Sequence, residues 1–462
     1  MAVPVKFVPH AYQQQIIEHQ LDVPRGATWA PMGCGKSVAT ATALQLYQEL
    51  ADDRPALVLA PKRVASYTWP REIKKWDHLT GEVRPILGSS ADRMASLRGG
   101  LRNGNASIFS VNYENIPWLV ETLTDLKIKW PFATIISDES TRLKSFRLKQ
   151  GGARAQALNK VAWEHCDRFT ELTGTPSPNG LKDLWGQAYF LDAGRRLGRS
   201  YSAYMNRWFQ KDYTGFNWTP FEHSDAEIHE ALTDICLSVE HGLDTIEPII
   251  NRVMIDLPAG MRRRYREMEK EAYTEIAGNA FEAVHAAART NKLLQMCNGA
   301  IYDETGGWTA LHDAKLQALE SVIAEAAGMP VLVATNFKFD VPLIQKAFPQ
   351  ARVLDTNQDF DDWNAGKIAI GLGHPASMGH GLDLQDGGNI IAFFGNDWNL
   401  EYHDQIVERI GPVRQKQAGH DRPVYIHYLL VEDSIDEVVY DRRVEKRTVQ
   451  EALMQAMKRR GL

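Results

Sequence analysis

Ala30-Pro-Met-Gly-Cys-Gly-Lys-Ser37 stands after a short run, Ala27-Thr28-Trp29, and before a helical pattern over residues 38–50. Residues of these types in this order suit a phosphate. Gly33 and Gly35 let backbone N–H groups turn inward around phosphate oxygens, and a helix start adds partial positive charge. Lys36 would reach the β/γ-phosphates and Ser37 would ligate Mg2+. Asp138-Glu139 closes the apolar run 133–137, about a hundred residues later. A carboxylate at a strand end can hold Mg2+ through water. A second one beside it can orient or deprotonate an attacking water. The expected chemistry is transfer of a phosphoryl group to water.

The elements that must hold these residues follow from hydropathy patterning. Runs at 56–60, 107–111 and 133–137 have the length and composition of buried strands, and helical patterns at 38–50 and 64–76 lie among them. Strands alternating with helices imply a parallel, doubly wound sheet. From about 184 to 247 aromatic residues on helical spacing replace the strand signals, and a second helical stretch runs from 265 to 298. Strand-like runs return at 330–334, 368–371, 390–394 and 424–428. The expected class is α/β: two parallel-sheet units around a helical middle. At ~150 residues per domain, 462 residues allow three folding units or two large ones.

Composition narrows the alternatives. Hydrophobic residues make up 44% and charged residues 24%, which excludes a mainly disordered or fibrous chain. The four cysteines, Cys34, Cys166, Cys236 and Cys297, form no CxxC pair, so neither a zinc ribbon nor a disulfide framework is expected. No apolar run approaches the ~20 residues of a membrane helix, and the N-terminus has no apolar signal core. The expected location is the cytoplasm, that of the host cell if the chain is viral. No membrane partner is expected.

APMGCGKS, SDES and LTGTP, in that order, resemble the superfamily 2 helicases and translocases, whose first motif is AxxGxGK followed by Ser or Thr. More specifically, the chain resembles the Swi/Snf-like branch in the compact form found in bacteriophages and bacteria. Asp138-Glu-Ser-Thr-Arg-Leu-Lys-Ser145 is similar to DEAHRLKN, and Leu172-Thr-Gly-Thr-Pro-Ser-Pro-Asn-Gly-Leu-Lys-Asp-Leu-Trp185 to LTGTPxxNxxxELW. Leu293-Leu-Gln-Met-Cys-Asn298 resembles LRQxCN, and Asp313-Ala-Lys-Leu316 resembles SxKL. The resemblance implies two RecA-like domains, 1–255 and 256–462, with helical protrusions at about 184–247 and 262–313. Trp185, Tyr189, Tyr201, Tyr204, Trp208 and Phe209 in the first protrusion are expected to be core rather than base-stacking platforms.

The same resemblance implies roles. Gln13 occupies the place of an adenine-reading glutamine. Lys62, in Ala60-Pro-Lys62, and Asn112, in Asn112-Tyr-Glu114, match motifs that touch the nucleic-acid backbone. Thr173 and Thr175 would relay nucleotide state. Gly379 and Gly381, in Met378-Gly-His-Gly-Leu-Asp-Leu384, match GGxGLNL, with Asp383 in place of asparagine. Gln405, Arg409 and Gln415 match QxxxRxxRxGQ, but Pro412 takes the second arginine position and Arg414 lies two places on. Arg409 and Arg414 are the candidates for stabilising charge on the γ-phosphoryl group.

The net charge of −6 alone argues against a polyanion ligand. Its distribution argues for one. From Thr141 to Trp163 there is no Asp or Glu, while Arg142, Lys144, Arg147, Lys149, Arg154 and Lys160 all fall there. Arg142 and Lys144 are therefore candidate nucleic-acid contacts. The leading expectation is an ATP- and Mg2+-dependent translocase on double-stranded DNA. A strand-separating helicase on DNA or RNA, and a nucleotide-gated binding or loading module with weak turnover, remain alternatives. Protein partners are not indicated by the sequence.

Overall fold

The computed structural model describes residues 4–31, 33–103, 107–148, 152–174, 176–177, 180–211, 218–239, 247–277, 283–378 and 382–445. The chain divides into two compact units, Met1–Gly242 and Leu243–Leu462.

The first unit opens with α1 (Ala11–Asp22), β1 (Arg25–Trp29) and α2 (Lys36–Leu50). There follow β2 (Ala56–Ala60), a π-helical turn (Val64–Thr68), α3 (Trp69–Lys75), β3 (Val83–Pro85), β4 (Ile108–Asn112), β5 (Thr134–Asp138) and β6 (Arg168–Thr173). A hairpin, β7 (Phe209–Lys211) and β8 (Trp218–Pro220), and a last strand, β9 (Cys236–Ser238), complete it. Seven strands form one sheet in the order β3-β4-β2-β5-β6-β1-β9, and every pair is parallel. Central strands covered on both faces need apolar side chains throughout, and β2, Ala-Leu-Val-Leu-Ala, is buried along its whole length. Alternation then divides the core. Leu57, Leu59, Phe109, Ile135 and Phe169 pack on one face of the sheet, and Val58, Ala60, Ile136 and Leu172 on the other.

Residues 184–247 contain the helices Leu184–Asp192, Tyr201–Trp208 and Ser224–Leu232, together with the hairpin and β9. Trp185, Tyr204, Trp208 and Phe209 are buried in the core, and Tyr189 and Tyr201 are half-buried against it. The expected packing role of these aromatics is what the structure shows. The helix expected over 64–76 differs in one respect. Its first turn is π-helical, so Trp69 N–H donates to Val64 O, five residues back.

The second unit begins with β10 (Ile249–Ile255), two helices (Ala259–Ala277 and Ala283–Cys297) and a hairpin, β11 (Ala300–Tyr302) with β12 (Trp308–Ala310). Strands β13 (Val331–Ala334), β14 (Arg352–Val353), β15 (Ile370–Gly373), β16 (Ile390–Phe393) and β17 (Tyr425–Val431) alternate with helices. The sheet order is β10-β17-β16-β13-β15-β14, again all parallel. The motif residues Asn298 and Lys315 meet in a buried polar lock. Lys315 Nζ lies 2.7 Å from Asp436 Oδ2, with both side chains wholly out of solvent. Lys315 also donates to Asn298 Oδ1 (2.9 Å) and Phe394 O (3.0 Å), and Asn298 Nδ2 donates to Asp340. This lock joins the end of the helix Ala283–Cys297 to the sheet and to the last described helix, Ile435–Glu445.

Glu171 is a buried group of another kind. It lies in the middle of β6, on the same face as Phe169, against a small cavity lined by Trp29, Leu184, Gln187 and Cys236. Its Oε1 has no hydrogen-bond partner among the described residues. Burial pushes its carboxyl well above the usual carboxylate range. The folded chain therefore keeps the proton that the unfolded chain releases above about pH 4.5. A folded state that binds more protons loses stability as pH rises, by about 1.4 kcal/mol per pH unit until the buried acid itself ionises. Glu171→Met should remove that loss. Urea denaturation at pH 5, 6 and 7 should show the variant gaining on the parent chain with each step; parallel pH profiles would contradict the assignment.

Candidate active site

The phosphate-loop sequence folds into a tight turn between β1 and α2. Gly33 (φ +83°) and Gly35 (φ +69°) both adopt left-handed backbone. At Gly35 a Cβ would lie 2.3 Å from Gln13 Nε2, so a side chain there would displace the Gln13 amide from the loop. Gly35 caps α2 and no side chain caps its first turn, so the helix start offers backbone donors to an anion. Lys36 curls back across the loop, donating to Ala30 O (2.5 Å) and Pro31 O (3.0 Å). Ser37 follows it in the first turn of α2.

The acidic pair is fixed by strand register. β6 lies between β5 and β1, with Asp138 opposite Leu172 and Trp29 opposite Thr173. Glu139 N donates to Leu172 O (2.9 Å) and Ala30 N to Thr173 O (3.1 Å). The loop, Thr173 and the carboxylates thus end at one level on one edge of the sheet. Asp138 is half-buried, and its Oδ2 accepts from the indole N–H of Trp69 at 2.8 Å. Tyr113 Oη lies 2.9 Å from Asp138 O, which accepts from it.

Glu139 is buried in a left-handed conformation (φ +66°, ψ +60°). Its Oε1 accepts from Thr141 Oγ1 (2.8 Å) and Thr173 Oγ1 (3.4 Å). Burial is the largest influence on its carboxyl and raises its pKa. The Asp138 charge acts in the same direction, while the Thr141 hydrogen bond and the charges of Lys36 and Arg142 oppose it. Glu139 is thereby made a better proton acceptor than an exposed glutamate.

Two residues that the sequence reading missed hold this edge together. Gln187 accepts from Ser140 Oγ (2.8 Å) and donates to Pro176 O (2.7 Å), tying the acidic motif to the LTGTP motif. The adjacent Gly186 brings its helix against the turn after Glu139, where a Cβ would lie 2.6 Å from Leu143 O and Lys144 O. Trp69 is the second. Neither had a signal in the spacing, because both act across long stretches of chain.

Gln13 is buried against the loop, donating to Cys34 O (3.1 Å) and accepting from His10 N (2.9 Å). Lys62 and Arg142 are exposed, and Lys144 is half-buried with Asp183 4.0 Å away. Asn112 is buried, donating to Glu114 Oε2 and accepting from Asn115 Nδ2. Thr175, Gly379 and Gly381 lie outside the described residues.

In the second unit Arg409 is buried near the end of the helix Leu400–Ile410 and donates to Leu382 O at 3.4 Å. Gln405, one turn earlier, is buried too. Pro412 starts a new helix, Pro412–Gln417, so Arg414 does not share a helix with Arg409. Arg414 Nη1 donates to Asp383 Oδ1 at 2.5 Å. The two departures from the motif patterns therefore meet: a carboxylate in place of an amide accepts the displaced guanidinium.

The first unit's residues fit a nucleotide carrying its own Mg2+. No cluster of three or more His, Cys, Asp or Glu able to hold a metal occurs among the described residues. Ser37 and Asp138 are too few to keep a resident ion, and Mg2+ is commonly bound by one or two protein groups plus substrate phosphates.

The chain is similar to several known proteins. The model of the SNF2-related domain matches residues 29–294. Protein p41 of Acyrthosiphon pisum secondary endosymbiont phage 1 is 52% identical over 98% of this chain and 99% of its own length. The ISWI chromatin-remodeling complex ATPase ISW1 of Saccharomyces cerevisiae is 24% identical over 92% of this chain, which spans 38% of that protein. The solved Hef helicase domain of Pyrococcus furiosus aligns over 95% of this chain and 98% of its own, with a TM-score of 0.53 and 12% identity, a likeness of fold. No helix among the described residues is long and apolar enough to cross a membrane. With more than half of the chain under the domain model and a relative matching it along nearly its whole length, the chain belongs to the SNF2-related family.

Proposed function

We propose that the chain is an ATP-hydrolysing motor that moves along double-stranded DNA. One observation carries the reading: the phosphate loop, Asp138-Glu139 and Thr173 are held at one level by hydrogen bonds between adjacent strands. Lys36 and the α2 N-terminus bind the β/γ-phosphates. Ser37 and Asp138 hold Mg2+, which supplies charge neutralisation at the phosphates. Glu139 orients the attacking water and takes its proton. Thr173, on the same carboxylate, registers whether the γ-phosphate is present, and Thr175 assists. Gln13 contacts the base from beside the loop. In the second unit Arg409 is the candidate for charge stabilisation at the γ-phosphoryl group, with Arg414 released from Asp383 as the alternative. Gly379, Gly381 and Gln405 couple this chemistry to movement. The domains are taken as the two compact units, 1–242 and 243–462, each with its helical protrusion; the boundary expected after 255 moves back because β10 (Ile249–Ile255) pairs with β17 in the second sheet.

Duplex DNA is the proposed track. The resemblance to the Swi/Snf-like branch, the chromatin-remodeling relative and the acid-free stretch from Thr141 to Trp163 support it. Lys62, Asn112, Arg142 and Lys144 are the proposed contacts; Asn112, being buried, would act by shaping its loop. The phage relative supports a place of action in the host cytoplasm.

Lys36→Ala should reduce ATP turnover by about 100-fold or more. Glu139→Gln should reduce it similarly while nucleotide still binds. In the parent chain kcat should rise with pH through the Glu139 ionisation, on a limb lying above the ordinary glutamate value of 4.5, because the base must be deprotonated. Steady-state rates and fluorescent-nucleotide binding measure all three. Normal turnover in Lys36→Ala would sink the assignment.

ATPase rates with duplex DNA, single-stranded DNA and RNA test the track. Duplex DNA should stimulate most, third strands should be displaced from a triplex, and tailed duplexes should stay paired. Binding should weaken steeply with salt. Unwinding of tailed duplexes would replace translocase by helicase, and the absence of stimulation by any nucleic acid would remove both.

A further inference from the structure

Trp69 is wholly buried, yet its one polar atom is not spent on packing. The indole Nε1–H donates to Asp138 Oδ2 at 2.8 Å. Three features aim it there. The π-helical turn Val64–Thr68 inserts an extra residue before Trp69 and so sets the direction in which the ring leaves the backbone. Ser110 Oγ, on β4, donates to Ala65 O at 2.6 Å and anchors that turn to the sheet. Trp69 is packed in one buried apolar cluster with Val58, Ala60, Ile136 and Leu172. An indole has a single donor and no acceptor, so the contact has one polarity and one geometry. A hydrogen bond to an ionised oxygen is of the strong class, and it opposes rotation of the carboxylate about its bond to Cβ.

We propose that Trp69 is a positioning residue that orients the Asp138 carboxylate toward the divalent cation accompanying the nucleotide. This rests on the ATPase reading above. Partners of metal-binding carboxylates commonly contribute 10–100-fold to metal affinity. The same segment carries Lys62 just before the π-helical turn, so the residue proposed to meet the DNA backbone and the residue that orients Asp138 stand seven positions apart on one anchored element.

The test is direct binding. Mn2+ is titrated by electron paramagnetic resonance into the full chain with saturating ADP, and ADP affinity is measured separately in EDTA. Trp69→Phe, which removes the donor and keeps a ring, should weaken Mn2+ about 10-fold and leave metal-free ADP binding unchanged. Should that variant fail to fold, 3-benzothienylalanine at position 69 replaces the N–H by sulfur at nearly constant shape and should give the same loss. Unchanged Mn2+ affinity in a folded variant, or equal losses with and without metal, overturns the role of Trp69. A parent chain that takes up no Mn2+ with ADP overturns the ATPase reading together with it.

Discussion

Ala30 N donates to Thr173 O, and Glu139 N donates to Leu172 O. These two bonds continue the ladders of β1 with β6 and of β5 with β6 one step past the strands. They place the glycine turn after β1 and a carboxylate pair beside a common threonine. Chain segments more than a hundred residues apart are thereby held in register by backbone hydrogen bonds. The tight glycine turn, the Gln187 bridge and the close approach at Gly186 all work on this frame. Without level strand ends none of them would have a fixed target.

The two units manage buried polarity in opposite ways. In the second, Lys315 and Asp436 are stripped of water but paired, and Asn298, Asn396 and the Phe394 carbonyl supply further hydrogen bonds. A satisfied network of this kind specifies one arrangement more than it adds net stability. Asp340 extends it, accepting from Asn336 N and Phe337 N, and burial still pushes its carboxyl up to about 6. In the first unit Glu171 has burial without a charged partner among the described residues, and its carboxyl is pushed well above the usual range. Both cases follow one rule: a buried ionisable group is neutralised by an opposite charge or by its proton.

Much of the fold was legible in the sequence because central parallel strands must be apolar on both faces. The runs at 56–60, 133–137, 330–334 and 390–394 all became buried strands. Strands β9 and β10 were not legible. The first is three residues long, and the second is a sheet edge with Ile249, Ile250 and Met254 exposed, so neither carries a buried-strand pattern. At the site, residue types and chain order pointed to the loop and the carboxylates. What the sequence hid was contact at a distance. Trp69 and Asp138 are 69 residues apart, and the ring that joins them leaves the backbone directly after a π-helical turn. Asp383 and Arg414 read as two separate departures until the structure joined them.

Glu139 carries a further meaning in its backbone. A side-chain-bearing residue in the left-handed region costs about 1–2 kcal/mol relative to right-handed backbone, and glycine or asparagine relieves most of that. A chain refined for durability alone would therefore drift away from glutamate at 139. The fold tolerates a locally inferior residue there, and what it retains in exchange is a buried acid group just past the end of β5. The same left-handed cost is met at Lys127, Ala193, Ala327 and Asp433; among these five, Glu139 is the one that sets a carboxyl directly after β5.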